Sequence, residues 1–120
     1  MILLDSNALI YLSKGMLDIE SFFSETEEYA ISIITYMEVL GYDFLSQKEE
    51  EIVRKLLSLF QFVYIDEEIM NTVIYLRKKY KMKLPDAIIC ATCLVNQAVL
   101  MTNDVKLNTI SEIKIKNVNI

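Results

Sequence analysis

Short apolar runs at residues 2–4, 30–34, 62–65 and 98–101 punctuate this chain, each followed at once by polar residues of the kind that open helices. Runs of this length bounded by turn and cap residues read as buried strands. The stretches between them have helical spacing. From residue 47 to 60 the apolar positions Ile52, Val53, Leu56, Leu57 and Phe60 share one helical face, with Glu49, Glu50, Glu51, Arg54 and Lys55 largely off it. After Asp66-Glu67-Glu68, the residues Ile69, Met70, Val73, Ile74 and Leu76 form another apolar stripe. Strands alternating with helices imply a mainly parallel central sheet with helices on both faces, a three-layer α/β/α fold. Two glycines and one proline leave little room for irregular loops, so the connections are expected to be tight.

Further elements follow from cap chemistry. Asp5-Ser6-Asn7 opens a helix expected to run to about Lys14, and residues 18–25 read as a second short helix. Thr35 and Glu38 have capping-box spacing, which predicts a helix starting at Thr35. Pro85 suits the first turn of a helix ending near Asn96, a short turn or helix follows Asn103-Asp104, and residues 115–120 alternate like an edge strand. At 120 residues the chain is expected to be one domain over residues 1–120.

Residues 84–101 are long and apolar enough to suggest a membrane span, but Pro85-Asp86 and Asn96-Gln97 would be costly in lipid. They read instead as a buried helix followed by a strand. Met1 reaches Asp5 through three apolar residues with no basic leader, which is unlike a signal peptide. A cytoplasmic protein with no membrane partner is the expectation.

Four acids stand out by position: Asp5 after the first run, Glu38 after the second, Asp86 after Leu84-Pro85 and Asp104 after the fourth. Each is placed as if the chain were passing from a strand into a helix. In a parallel sheet the carboxyl ends of the strands share one edge, where open α/β folds bind ligands. Converging carboxylates resist joint ionisation unless a cation lies among them. Mg²⁺ or Mn²⁺ suits such oxygen donors, and phosphodiester chemistry suits Mg²⁺. The plainer account is that each acid caps a helix, as Asp66 does after the third run. What raises these four is their setting, Ser6 and Asn7 beside Asp5, Thr35 before Glu38, Pro85 before Asp86 and Thr102-Asn103 before Asp104, since small hydroxyl and amide groups of this kind can orient carboxylates and hold metal-bound water.

The chain has no histidine, which excludes imidazole as base or ligand. Cys90 and Cys93 form a CxxC but cannot complete a tetrahedral zinc site alone, and they read as small buried core residues. Twelve basic against seventeen acidic residues give a net charge of −5, unfavourable for nucleic acid. Yet Arg77, Lys78, Lys79, Lys81 and Lys83 place five positive charges within seven residues. They read either as cations at a helix carboxyl end or as an RNA phosphate contact strip.

Taken in order, LLDSNALI, TYMEVLGY, LPDAIICATC and TNDVKL resemble the acidic motifs of the PIN-domain family, and the chain's size is similar to its VapC-type toxins. The resemblance covers essentially the whole chain. It implies a metal-dependent endoribonuclease with Asp5, Glu38, Asp86 and Asp104 as the catalytic and metal-binding quartet, and with Thr102 in support. Ser6 stands where the family often has threonine and keeps the hydroxyl. The resemblance also implies attack by water with 5′-phosphate and 3′-hydroxyl products, a homodimer, and a small antitoxin whose tail covers the site.

Three other readings stay open at this point. A haloacid-dehalogenase-like phosphatase would want an aspartate where Asn7 stands. A phosphoacceptor domain would want an acidic pair after the first strand, although Asp66 could imitate its acceptor. A PIN fold acting only as a binding module would not need its quartet.

Overall fold

The computed structural model describes residues 1–15 and 23–118. Five strands form one sheet: β1 (Ile2–Leu4), β2 (Tyr29–Ser32), β3 (Gln61–Val63), β4 (Val99–Thr102) and β5 (Lys114–Asn117). The order across the sheet is β3-β2-β1-β4-β5, and every neighbouring pair is parallel. Helices α1 (Ser6–Ser13), α2 (Ile33–Leu40), α3 (Gln47–Leu57), α4 (Glu67–Tyr80) and α5 (Leu84–Asn96) connect the strands, and a 3₁₀ helix spans Val105–Thr109. Most of the expected helix over residues 18–25 lies outside the described residues.

Strand alternation divides the core between the two faces. Leu3, Ala30 and Leu100 join Ile69, Val73 and Leu76 of α4 and the apolar face of α5 on one side of the sheet. Their neighbours Leu4, Ile31 and Met101 join Ala8, Leu9 and Leu12 of α1, Val39 of α2 and Val53, Leu56 and Leu57 of α3 on the other. The result is the three-layer arrangement read from the sequence. Fully burying such a side chain stabilises the fold by about 1.5–3 kcal/mol, which is why strands of three or four residues suffice.

The structure differs from the sequence reading at several points. β2 ends at Ser32, and α2 begins at Ile33 rather than at Thr35. The Ser32 hydroxyl accepts from the Ile34 N–H at 3.2 Å, so Ser32 is the cap and Thr35 lies inside the first turn. Ile52, Met70 and Ile74, counted among the apolar stripes, are exposed because only the centre of each stripe meets the sheet. Residues 84–101 do form a buried helix and then a strand, and the final strand is a sheet edge. No helix among the described residues is long and apolar enough to cross a membrane.

Candidate active site

In the strand order, β1 is followed on one side by β2 and on the other by β4, so connections leave β1 and β4 toward opposite directions of the sheet. A doubly wound sheet opens a crevice at such a switch point, at the carboxyl ends of the strands. Asp5 stands there. Its backbone is extended, with φ −81° and ψ 174°, and its Oδ1 accepts from the Ala8 N–H at 2.8 Å as the cap of α1. Its Oδ2 accepts from the hydroxyl of Thr102, the last residue of β4. The same Thr102 oxygen accepts from the Asp104 N–H at 3.0 Å. One buried threonine therefore ties together the two acids flanking the crevice. Asp104 in turn caps the 3₁₀ helix, accepting from the Lys106 N–H at 3.0 Å.

The other two acids reach the crevice from helices and not from strand ends. Glu38 lies in the second turn of α2, not at its start, and its Oε1 accepts from the Ser6 hydroxyl at 2.8 Å. Asp86 does not follow a strand at all. It sits in the first turn of α5, which follows α4 after residues 81–83, with Lys81 in the left-handed region at φ 54°. Yet Asp5, Glu38, Asp86 and Asp104 line one cavity of about 140 Å³, together with Ser6, Asn7, Pro85, Ile89 and Leu107. Asn7 contributes to the wall; Thr102 lies beneath it, fully buried.

Clustering shows in the electrostatics. Burial lifts the Asp5 carboxyl above its ordinary range; hydrogen bonds from Thr102 and Ala8 hold it back, and the charges of Asp104 and Asp86 lift it further. Asp86 is lifted by burial and by Asp104, while Lys83 and Lys106 oppose the lift. Carboxylates flanked by hydroxyls make a donor set for a hard divalent cation. Among the described residues, no three acidic or cysteine side chains stand close enough together to hold an ion as they are placed. Beneath the site, burial pushes the Cys90 thiol up to about 12, with Asp86 and Asp104 adding to the effect, and raises Cys93 as well. Both are free and buried, as small core residues should be.

The basic strip divides. Arg77, Lys78 and Lys79 occupy the last turn of α4, where cations oppose the helix dipole. Lys79 pairs with Glu112 at 3.1 Å and donates to the Tyr75 hydroxyl at 3.3 Å, and the Arg77 Nε donates to the Met82 carbonyl at 3.3 Å. Lys83, at the cap position of α5, is the member of the strip whose charge reaches Asp86. Lys106 does so too, and the sequence reading passed over it. Its position two residues beyond Asp104 was the available signal. Ile89 and Leu107, the apolar wall residues, carried none.

The chain belongs to the PIN domain family, whose model matches residues 2–113. Among solved structures it is similar to a chain of a toxin–antitoxin complex from Klebsiella pneumoniae, with 33% identity, a TM-score of 0.77, and coverage of 99% of this chain and 97% of that one. It is similar to a chain of VapBC-1 from nontypeable Haemophilus influenzae at 27% identity, with a TM-score of 0.79 and coverage of 98% of both. A chain of the DNA-bound VapBC from Salmonella typhimurium shares the fold at 20% identity, with a TM-score of 0.85 over 97% of this chain and 96% of that one. No curated protein matches the chain in sequence.

Proposed function

We propose that this chain is a metal-dependent endoribonuclease and the toxin of a toxin–antitoxin pair, acting in the cytoplasm as a single domain over residues 1–120. The observation that carries the reading is that Asp5 at the cap of α1, Glu38 of α2, Asp86 of α5 and Asp104 after β4 line one cavity at the switch point of the sheet. Bound Mg²⁺ or Mn²⁺ would supply an activated water and neutralise charge building on a scissile phosphate. Asp5 and Asp104 are the residues to hold the ion, since Thr102 fixes both. Glu38 and Asp86 complete the donor set, with Ser6 orienting Glu38 and Asn7 lining the approach. Lys83 and Lys106, exposed beside Asp86, are placed to meet the RNA backbone and offset the acidity of the rim. Arg77, Lys78 and Lys81 extend that path, whereas Lys79 is committed to Glu112.

The similar chains come from toxin–antitoxin complexes, which supports a small antitoxin as partner. Exposed apolar side chains, among them Met37, Tyr64, Met70 and Ile74, support both that partner and a homodimer. One observation favours a second reading, a PIN fold that binds RNA or protein without cutting it: no three acids are grouped closely enough to hold an ion as they stand, among the described residues.

Cleavage decides between them. The purified chain, freed of any antitoxin, should cut single-stranded or looped RNA with Mg²⁺ or Mn²⁺, leaving 5′-phosphate and 3′-hydroxyl ends. Excess EDTA should stop it. Asp5→Asn should cost more than the roughly 100-fold that loss of even an outer partner of a metal ligand can cost. Undiminished cutting in EDTA, or by Asp5→Asn, would overturn the metal-dependent mechanism.

A further inference from the structure

Beneath the acidic cavity the sheet edge is lined with hydroxyls. Leu4 is in register with Ile31 on one side and with Met101 on the other, so the row beyond them reads Ser32, Asp5, Thr102 across β2, β1 and β4. Ser32, Thr102 and, in the first turn of α2, Thr35 are all fully buried. Two have evident work. Ser32 caps α2, and Thr102 donates to Asp5.

Thr35 has none. Among the described residues, its Oγ1 is the buried side-chain polar atom without a hydrogen-bond partner. A helical threonine ordinarily returns its proton to the carbonyl four residues back, as Thr72 does to Glu68 at 2.9 Å and Thr92 does to Ile88 at 2.7 Å. For Thr35 that residue is Ile31, which belongs to β2 and not to the helix. A buried hydroxyl left unpaired costs stability, and valine would fill the same space without that cost. The hydroxyl sits one turn before Glu38, at the i,i+3 spacing that brings side chains together on a helix. Ser6 satisfies one Glu38 oxygen, and a carboxylate has a second to offer.

We propose that Thr35 is a positioning residue of the acidic site, its hydroxyl giving Glu38 the hydrogen bond that fixes the carboxylate when a divalent cation is taken up. The inference rests on the metal-dependent reading above and adds a residue to it. Thr35 acts through Glu38 and touches neither ion nor RNA.

The test uses the whole chain as Thr35→Val and Thr35→Ser, each alone and combined with Glu38→Ala, which removes the acceptor oxygens. Melting is followed in EDTA and across a Mn²⁺ titration, and RNA cleavage is measured alongside. Thr35→Val should melt in EDTA no lower than wild type, because an unpaired buried hydroxyl has gone. Its apparent Mn²⁺ affinity should fall about 10- to 100-fold, with cleavage falling too, the range typical of groups that orient metal ligands. Serine should restore both. In the Glu38→Ala background the valine change should have no further effect on the Mn²⁺ response. Thr35→Ala carries the same expectation for affinity should valine prove too crowded to fold. A Mn²⁺ response unchanged by valine or alanine, a loss not rescued by serine, or an equal loss with and without Glu38 would each overturn the assignment. A wild type with neither Mn²⁺ response nor cleavage would instead remove the metal-dependent reading, and this inference with it.

Discussion

The junctions after β1 and after β3 are nearly identical in local structure and differ in what surrounds them. Asp5 accepts from the N–H three residues on at 2.8 Å, and Asp66 does the same at 2.9 Å. Both backbones are extended, and both acids cap the helix that follows. But β1 is the central strand at the switch point, whereas β3 is an edge strand. Asp5 is partly buried and receives a second bond from Thr102, ninety-seven residues away in sequence, while Asp66 is exposed. Cap geometry is thus common to a structural helix start and a candidate catalytic one. Strand order and long-range hydrogen bonding separate them.

The largest expected effect breaks the comparison at activity. Asp66→Asn keeps a competent cap and should leave RNA cleavage within about twofold of wild type, whereas Asp5→Asn should abolish it. Equal losses from the two variants would mean that cap integrity, and not chemistry at the crevice, governs the assay.

A smaller effect concerns ions. At a hundredfold excess over Kd, Mg²⁺ or Mn²⁺ should stabilise wild type by about 2.7 kcal/mol. Asp86→Asn should gain less from the ion. In EDTA it should melt above wild type, because the Coulombic pressure between Asp86 and Asp104 is relieved. Asp66→Asn should instead be neutral or slightly destabilised in EDTA, with the full response to Mg²⁺. A wild type indifferent to millimolar Mg²⁺ and Mn²⁺, with Asp86→Asn no more stable than it, would mean that the acids do not act as one site.

The sequence was legible where signals are local. Among the described residues, apolar runs, helical stripes and cap chemistry together located the five strands and the five named helices, and the parallel three-layer fold followed from their alternation. It was illegible where a residue's meaning depends on distant partners. Glu38 looked like the end of a capping box, because Thr35 and Glu38 carry that spacing whether or not Ser32 takes the cap first. Asp86 looked like a strand-end residue, although only the packing of α5 brings it to the cavity. Lys106 was passed over because its charge matters only once the 3₁₀ helix places it near Asp86. The distinction between Asp5 and Asp66 needed the order β3-β2-β1-β4-β5, which no window of sequence contains.

The subtlest test reads the β1 junction through pH. Burial raises the Asp5 pKa in the folded chain above its unfolded value, so the native state binds more protons across the window between the two. In EDTA, that difference makes the Asp5 contribution to stability decline as pH rises from the ordinary carboxylate range near 4 through the folded pKa, and level off above it. Asp5→Asn lacks this decline. The stability of Asp5→Asn relative to wild type should therefore be most favourable near neutrality and should shrink as pH falls toward 4. Urea midpoints taken at half-unit pH steps give the difference curve directly. The tilt is a property of desolvation and of the neighbouring acids, so Asp5→Asn combined with Asp86→Asn should tilt less than the sum of the two separate variants. An Asp5 curve flat from pH 4 to 8, or one sloping the opposite way, would make Asp5 a solvated cap and remove the electrostatic signature of the crevice.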